Sequence, residues 1–381
     1  MRAVLALNSG SSSVKFALYE AQAAGLAILF RGMLDLHASE GRFEIKDAAG
    51  KPARVGGTPI SGPKDDVAKS LLQYIGQLLD GRELAAVGHR VVHGGPNYIS
   101  PVRIDAEVVE DLEQLTPLAP LHQPACLDPI RTILKLRPDL PQVACFDTAF
   151  HHDIASSYRR FPLPLDFEAK GIRRYGFHGL SFEYIARQFD DRDVRMVVAH
   201  LGSGCSLCAI HNGKSINTTM SLTPLDGLMM ATRSGAVDPG LLLYLQQTEK
   251  MSAAEVEHLL YRKAGLLGVS GASADMRDLL GSDKASAKEA IDQFCARIAE
   301  QIAVMATAMH GMDVLVFTGG IGGNSREVRG NVCARLQWLG VREQNQDKNE
   351  PGGIEVLAMP TDEELVIATH TVGIVRPASS A

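Results

Sequence analysis

Apolar positions in this chain fall into two kinds of stretch, short unbroken runs and longer segments with helical spacing. Val4-Leu5-Ala6-Leu7 is an apolar run that breaks at Asn8-Ser9-Gly10, and apolar residues resume after Lys15. Such runs predict buried strands, and the polar turn between them predicts a hairpin. The stretches AAVGHRVVHGG and QVACFDTAF likewise predict buried strands ending in polar residues. Val67, Leu71, Ile75 and Leu78 recur at helical spacing, as do Ile291, Phe294, Ile298, Ile302, Met305 and Met309 on a longer helix. Phe182, Ile185, Ala186 and Phe189 predict a helix capped by Ser181. DVLVFTGGIGGNS predicts a strand, a glycine turn and a helix from Ser325. In PTDEEL, Thr361 and Glu364 have the spacing of a capping box. This alternation predicts an α/β protein.

A repeat underlies the pattern. VLALNSGSSSVKFAL resembles VAHLGSGCSLCAI, with Leu7 matching Leu201, Ser9 matching Ser203, Gly10 matching Gly204 and Ser12 matching Ser206. The offset is about half the chain, and each copy sits between apolar strands. A Gly/Ser run alone usually marks a linker. Two such turns in a duplicated domain instead offer backbone N–H groups that suit a polyphosphate.

Composition narrows the picture. The 381 residues exceed what one core usually serves, so two domains are expected. Net charge is −6, which gives no reason to expect nucleic acid or an acidic membrane as partner. The first residues lack the apolar run of a signal peptide, and no stretch approaches the length of a spanning helix. Six cysteines in so long a chain do not make a disulfide framework. A reduced, cytoplasmic protein is expected.

Three tempting motifs fail. CSLC at Cys205–Cys208 has no second pair for a zinc ribbon, and it continues as a strand where a redox motif would open a helix. GKS at Gly213 lacks the upstream glycine of a Walker A loop, Cys208 standing in its place. GGIGGNS has Ser325 where a dinucleotide fingerprint needs its last glycine. Two hairpins plus a strand, Gly-Gly turn and helix are instead the layout of the actin, Hsp70 and sugar-kinase superfamily.

NSGSSSVKF, GHRVVHGG, PLHQP, FDTAFH, RRYGFHGLS, HLGSGCS, TPLDGLMMATRSG, FTGGIGGNS and PTDEEL together resemble the acetate kinase family in order and spacing, from Val4 to about Val375. The resemblance implies a duplicated actin-like ATPase (ribonuclease H-like) fold. One domain would span 1–146 plus 365–381 on the acyl side, and the other 147–364 on the nucleotide side. It implies ATP plus a short-chain carboxylate giving ADP plus an acyl phosphate, with Mg²⁺ (Mn²⁺ as a substitute), in a homodimer.

Elementary chemistry agrees. An anionic nucleophile approaching an anionic γ-phosphate needs positive charge and positioning from the protein. A lone arginine is usually a solvated surface charge, but Arg90 follows Gly88 and His89 inside an apolar strand, where an unpaired charge would be costly. By resemblance, Arg90 and Arg233 bind the carboxylate and the transferring phosphoryl group, through a planar fork that lysine cannot copy. Asp147, at a strand end, would sit at the reaction centre, and Asn8 and Glu363 match metal-linked positions. His178, between Gly176 and Gly179 just ahead of a helix, would donate a hydrogen bond to the phosphoryl group. Val92, Leu121, Phe177 and Pro224 match a small apolar pocket for the acid's methyl group. Ser11, Ser13, Lys15, His200, Leu201, Gly202, Ser203 and Gly204 would hold phosphates. Gly320, Ile321 and Asn324 match the adenosine motif, and Asp275, Met276 and Arg277 a loop near base and ribose.

The chain departs from the family at Ser203 (usually Asn), Gly323 and Pro96 (usually Glu) and Ala236 (usually Asp). Three rivals remain: a propionate or butyrate kinase, since one methylene changes binding by only ~1–3 kcal/mol; an ATP-binding regulator on the same fold; and a thiol or zinc protein built on CSLC.

Overall fold

The computed structural model describes residues 2–10, 13–23, 25–35, 42–53, 64–342 and 353–375. The chain divides into two compact units, 1–150 with 362–381 and 151–361. Asp147 therefore travels with the first unit, as does Glu363.

Seven strands form the sheet of the first unit: β1 (Arg2–Ser9), β2 (Ser13–Gln22), β3 (Gly25–Asp35), β4 (Arg42–Asp47), β5 (Glu83–Val91), β6 (Val102–Arg103) and β7 (Gln142–Phe146). Their order is β4-β3-β2-β1-β5-β7-β6. β1 runs antiparallel to β2 and parallel to β5. The helices Gln123–Leu136 and Glu363–Val375 both pack on β1. Covering of both faces explains why Val4, Leu5, Ala6 and Leu7 form an unbroken buried run. Gly88 in β5 lets the C-terminal helix seat closely: a Cβ there would lie 2.1 Å from Thr371 Oγ1.

The second unit has β8 (Arg195–Leu201), β9 (Cys205–His211), β10 (Lys214–Thr218), β11 (Val314–Thr318) and β12 (Glu355–Ala358), ordered β10-β9-β8-β11-β12. β8 is antiparallel to β9 and parallel to β11, which is parallel to β12. This repeats β3-β2-β1-β5-β7 strand for strand, with β4 and β6 added at the outer edges of the first sheet. Each copy of the sequence repeat is the hairpin that opens its sheet. The helix Ala285–Ala308 packs on β8 and β9, and all six apolar residues named for its face are buried.

Two predicted caps form differently. The helix expected to begin after Ser181 runs Gly179–Arg187, with His178 at the N-cap in a left-handed conformation, φ 57° and ψ 23°. Ser181 lies inside that helix, where its hydroxyl bonds to His200 instead. At the last helix, Asp362 rather than Thr361 is the cap, its Oδ1 accepting from Leu365 N at 3.0 Å. An aspartate one residue closer to the helix reaches the third amide better than the threonine, and Glu364 turns to Asn8.

Candidate active site

Arg90 sits one residue before the end of β5, and Asp147 follows β7 directly. Parallel pairing of these strands brings the two side chains together. Arg90 Nε donates to Asp147 Oδ1 at 2.9 Å and Nη2 donates to Oδ2 at 2.6 Å. Asp147 is 1% exposed and the Arg90 side chain 15%. Burial disfavours the Arg90 charge, but the Asp147 carboxylate outweighs it, with Glu363 adding to the effect, so the guanidinium is held firmly protonated. The fork is aligned before any substrate arrives.

Beside them, Asn8 follows β1's apolar run. Its Nδ2 donates to Glu363 Oε2 at 2.8 Å and to Glu364 Oε1 at 3.1 Å. Burial raises the Glu364 pKa, and the neighbouring Glu363 charge adds to the rise. Asp362 has its own partners, Tyr19 Oη at 3.4 Å and the Arg31 guanidinium. Lys15 is exposed and lies opposite Asn8 in the hairpin, whose turn is closed by Gly10 N donating to Ser13 O at 2.9 Å. Ser11 lies outside the described residues. Val92 is buried and Leu121 half-buried. The turn after Val92 is clasped by Gln123, whose Oε1 accepts from His93 N and whose Nε2 donates to His93 O.

In the second unit, the matching hairpin turn is closed by Gly202 N donating to Gly204 O at 3.0 Å. His200, near the end of β8, stacks on His178 with ring centroids 4.5 Å apart and planes 20° from parallel. Ser206 Oγ meets His178 Nδ1 at 2.7 Å, and Ser181 Oγ meets His200 Nδ1 at 2.8 Å. Gly204 lies close beneath both side chains: a Cβ there would stand 3.0 Å from Arg233 Nη2 and 3.3 Å from His178 Nε2. Arg233 is anchored by Nη1 donating to Pro224 O at 2.7 Å. Its loop folds tightly over Gly265, at φ +64°, where a Cβ would lie 2.2 Å from Met230 O. A cation and an imidazole thus converge on one glycine turn.

Phe177 and Pro224 are buried. Phe177 O accepts from His151 Nε2 at 3.0 Å, and His151 Nδ1 meets Ser215 Oγ at 2.8 Å. Burial drives the His151 pKa down to about 4, keeping the ring neutral. Cys208 Sγ lies 3.2 Å from Ser215 Oγ, and Cys205 donates to Gly202 O at 3.2 Å. Burial pushes both thiols up to about 12, so neither is a ready nucleophile or metal ligand. Among the described residues, no group of three or more His, Cys, Asp and Glu side chains has the arrangement of a metal centre.

Leu201 ends β8 beneath the short helix Gly319–Gly322, which contains Gly320 and Ile321. Asn324 Nδ2 donates to Gly320 O at 2.9 Å, and Arg329 Nη1 donates to Gly322 O and Gly323 O. Asp275 caps the helix Met276–Leu280 and pairs with exposed Arg277, while Met276 is buried. Of the departures, Ser203 presents its carbonyl to Ala231 N at 3.3 Å.

Sequence reasoning passed over Glu364, His151, Ser181, Gln123 and Arg329 as site-shaping groups. Ser181 and Glu364 were marked only as capping positions, and Ser206 only as a match within the repeat. The others act through tertiary contacts that no local spacing announces.

The family model for the acetokinase family matches residues 3–369. The chain belongs to the acetokinase family. It is 46% identical to an acetate kinase of Rhodopseudomonas palustris, over 96% of this chain and 97% of that one. An acetate kinase of Nitrobacter hamburgensis is 44% identical, over 100% and 98%. Among solved structures, a propionate kinase from Francisella tularensis superposes with TM-score 0.88 at 36% identity, covering 98% of this chain and 100% of that one. Porphyromonas gingivalis acetate kinase gives 0.82 at 35% identity, covering 99% and 100%. The duplicated actin-like fold expected from the sequence is the fold of this acetokinase chain.

Proposed function

We propose that this acetokinase transfers the γ-phosphoryl group of ATP to the carboxylate of acetate, reversibly, giving acetyl phosphate and ADP by direct in-line transfer. The observation that carries it is the convergence of Arg233 Nη2 and His178 Nε2 on Gly204, in a chain of this family. Arg90, held by Asp147 through Nε and Nη2, presents its remaining N–H groups to an anion, the acid's carboxylate or the phosphoryl group. Arg233 neutralises charge on the transferring phosphoryl group, and His178 donates a hydrogen bond to it. No protein nucleophile is needed. Val92, Leu121, Phe177 and Pro224 contact the acid's methyl group. Ser11, Ser13 and Lys15, with His200 to Gly204, bind phosphates. Gly320, Ile321, Asn324 and the segment Asp275–Arg277 bind the nucleoside.

Mg²⁺ fits the residues present. Asn8 Nδ2 faces the carboxylates of Glu363 and Glu364, which leaves an amide oxygen beside an anionic oxygen set, the donors this ion prefers. Asn8 and Glu363 would hold it, and Mn²⁺ would substitute. When bound, the ion supplies neutralising charge to the phosphates.

A homodimer is also part of the reading. The helix Pro239–Gln247 has no buried residue, and Leu241, Leu243 and Tyr244 are exposed on it, an apolar face that a second copy would cover. The fully buried thiols suit a reducing, cytoplasmic setting.

Trapping acyl phosphate as hydroxamate, with ATP and Mg²⁺ across C2 to C4 acids, tests the reaction. Product with acetate is expected, and its absence with all acids would remove the proposal. A higher kcat/KM for propionate would move the reading to propionate kinase, which the Francisella neighbour favours as the second choice.

A further inference from the structure

Three histidines of the second unit share one feature: each carries a serine hydroxyl on Nδ1. His178 has Ser206, His200 has Ser181, and His151 has Ser215. For His151 the polarity is fixed by its other nitrogen. Nε2 faces the Phe177 carbonyl, which only accepts, so Nε2 bears the proton and Nδ1 accepts from Ser215.

Burial fixes the other two. Ser206 and Ser181 are both 0% exposed. Among the described residues, the Ser206 hydroxyl has His178 Nδ1 as its single hydrogen-bond partner, and the Ser181 hydroxyl has His200 Nδ1. If either imidazole carried its proton on Nδ1, the serine would accept it and its own hydrogen would be buried without an acceptor. Donation from serine to Nδ1 satisfies both hydroxyls. It also keeps the imidazoles neutral where charge would be unwelcome: the two rings are stacked at 4.5 Å, and His178 Nε2 and Arg233 Nη2 both approach Gly204. A second or third cation there would meet like charge.

We propose that Ser206 and Ser181 are positioning residues that lock His178 and His200 as neutral imidazoles with the proton on Nε2. The consequence for His178 is specific. It meets the phosphoryl group as a neutral, correctly oriented N–H donor, and it does not act as a proton donor that must be recharged each turnover. This inference rests on the reaction proposed above for the use made of His178, but the tautomer itself does not depend on that reaction.

The test uses the full chain with ring-¹⁵N histidine, in which protonated and bare nitrogens have well separated shifts. The His178 signal is assigned by its loss in His178→Gln. The wild type is expected to show a bare Nδ1 and a protonated Nε2 on His178 near neutral pH. Ser206→Ala should give mixed tautomers and lower kcat by about 10- to 100-fold, leaving the KM for ATP within a few-fold. Ser206→Thr, which keeps the hydroxyl, should recover both signatures. A wild-type His178 protonated on Nδ1, or on both nitrogens, overturns the proposal. So does a Ser206→Ala variant whose spectrum and kcat match wild type. Should Ser206→Ala fail to fold, the wild-type spectrum still decides. A locked Nε2–H form in a chain that makes no acyl phosphate would remove the reaction and leave the lock. Active enzyme with the Nδ1–H form would do the reverse.

Discussion

The two units share one sheet topology and handle charge in opposite ways. The first builds its candidate site from ions: Arg90 on Asp147, with Glu363 and Glu364 under the Asn8 amide. The second builds from stacked imidazoles and their serine hydroxyls beside the Arg233 guanidinium, at a glycine turn. Equivalent strands therefore carry unlike chemistry. Each unit keeps the hairpin, but its strands break at different positions of the repeat, Ser9 and Ser13 in the first and Leu201 and Cys205 in the second, and the side chains around it differ. The first unit's site should be tied to that unit's stability, because Arg90 and Asp147 are buried as a pair. The second unit's site should be separable from folding, because Arg233 leans on a carbonyl that a loop supplies.

Asp147→Asn makes the largest break. It leaves Arg90, 15% exposed, with a neutral partner in a buried place. Breaking one side of such a pair costs up to about 3–5 kcal/mol, so thermal unfolding should move down by many degrees as turnover is lost. A variant with wild-type Tm would show that the pair is not structural.

Arg233→Ala should behave differently. Turnover should fall on the order of 10²- to 10³-fold, with nucleotide binding by calorimetry retained and Tm little changed. Arg233→Lys should recover little, since a point charge lacks the planar fork. Near-normal turnover in the alanine variant would remove Arg233 from the mechanism.

His178→Ala should follow the same pattern on a smaller scale. A loss in kcat of about 100-fold, with the KM for ATP within a few-fold and the fold intact, is expected of a donor used mainly in the transition state. Early melting with near-normal kcat would make the histidine a structural prop, and the contrast between the units would weaken.

These contrasts were only partly legible in the sequence. Unbroken apolar runs announced β1, β5, β7 and β11, because strands buried on both faces leave that pattern. The long helix Ala285–Ala308 was equally plain from its apolar face. The repeat at Leu7 and Leu201 exposed the duplication, since both copies fall on the hairpin that opens a sheet. Caps were misplaced by one to three residues at Ser181 and Thr361, where neighbouring polar residues competed for the role and tertiary partners decided. Family resemblance singled out Arg90 and Asp147, but their bidentate pairing depends on parallel strands 57 residues apart in sequence. Of the serine anchors, Ser206 showed in the sequence only as a match within the repeat and Ser181 only as a helix cap, because their bonds to His178 and His200 are tertiary.

Acid should probe both units through buried histidines. His89 in the first unit bonds to Gln142 Oε1 at 2.7 Å, and burial lowers its pKa to about 4, as it does for His151 in the second. An unfolded histidine titrates near 6.5. Below that pH the unfolded state binds a proton that the native state refuses, so stability present above pH 6.5 is lost as pH falls towards 4. Each residue should cost roughly 2 kcal/mol by pH 5. Chemical denaturation at pH 7.5 and pH 5 checks this, with His89→Gln and His151→Gln each removing about half of the loss. Equal acid sensitivity in wild type and both variants would place the titrating groups elsewhere.

The smallest expected effect concerns selectivity. Val92 is 2% exposed just past the end of β5, next to the turn that Gln123 clasps, so its side chain sits on a fixed backbone. Shortening it leaves space that the clasped backbone cannot collapse to fill. Val92→Ala should therefore raise the ratio of kcat/KM for propionate over acetate by about fivefold to tenfold, the worth of about one methylene. The KM for ATP should stay within twofold, because the nucleotide-binding residues are assigned mainly to the second unit. Measuring both acids and the nucleotide in one variant separates the roles of the two units. A changed KM for ATP with an unchanged acid ratio would mean that Val92 does not meet the acid, and that acyl selectivity is not a property of the first unit's strand end.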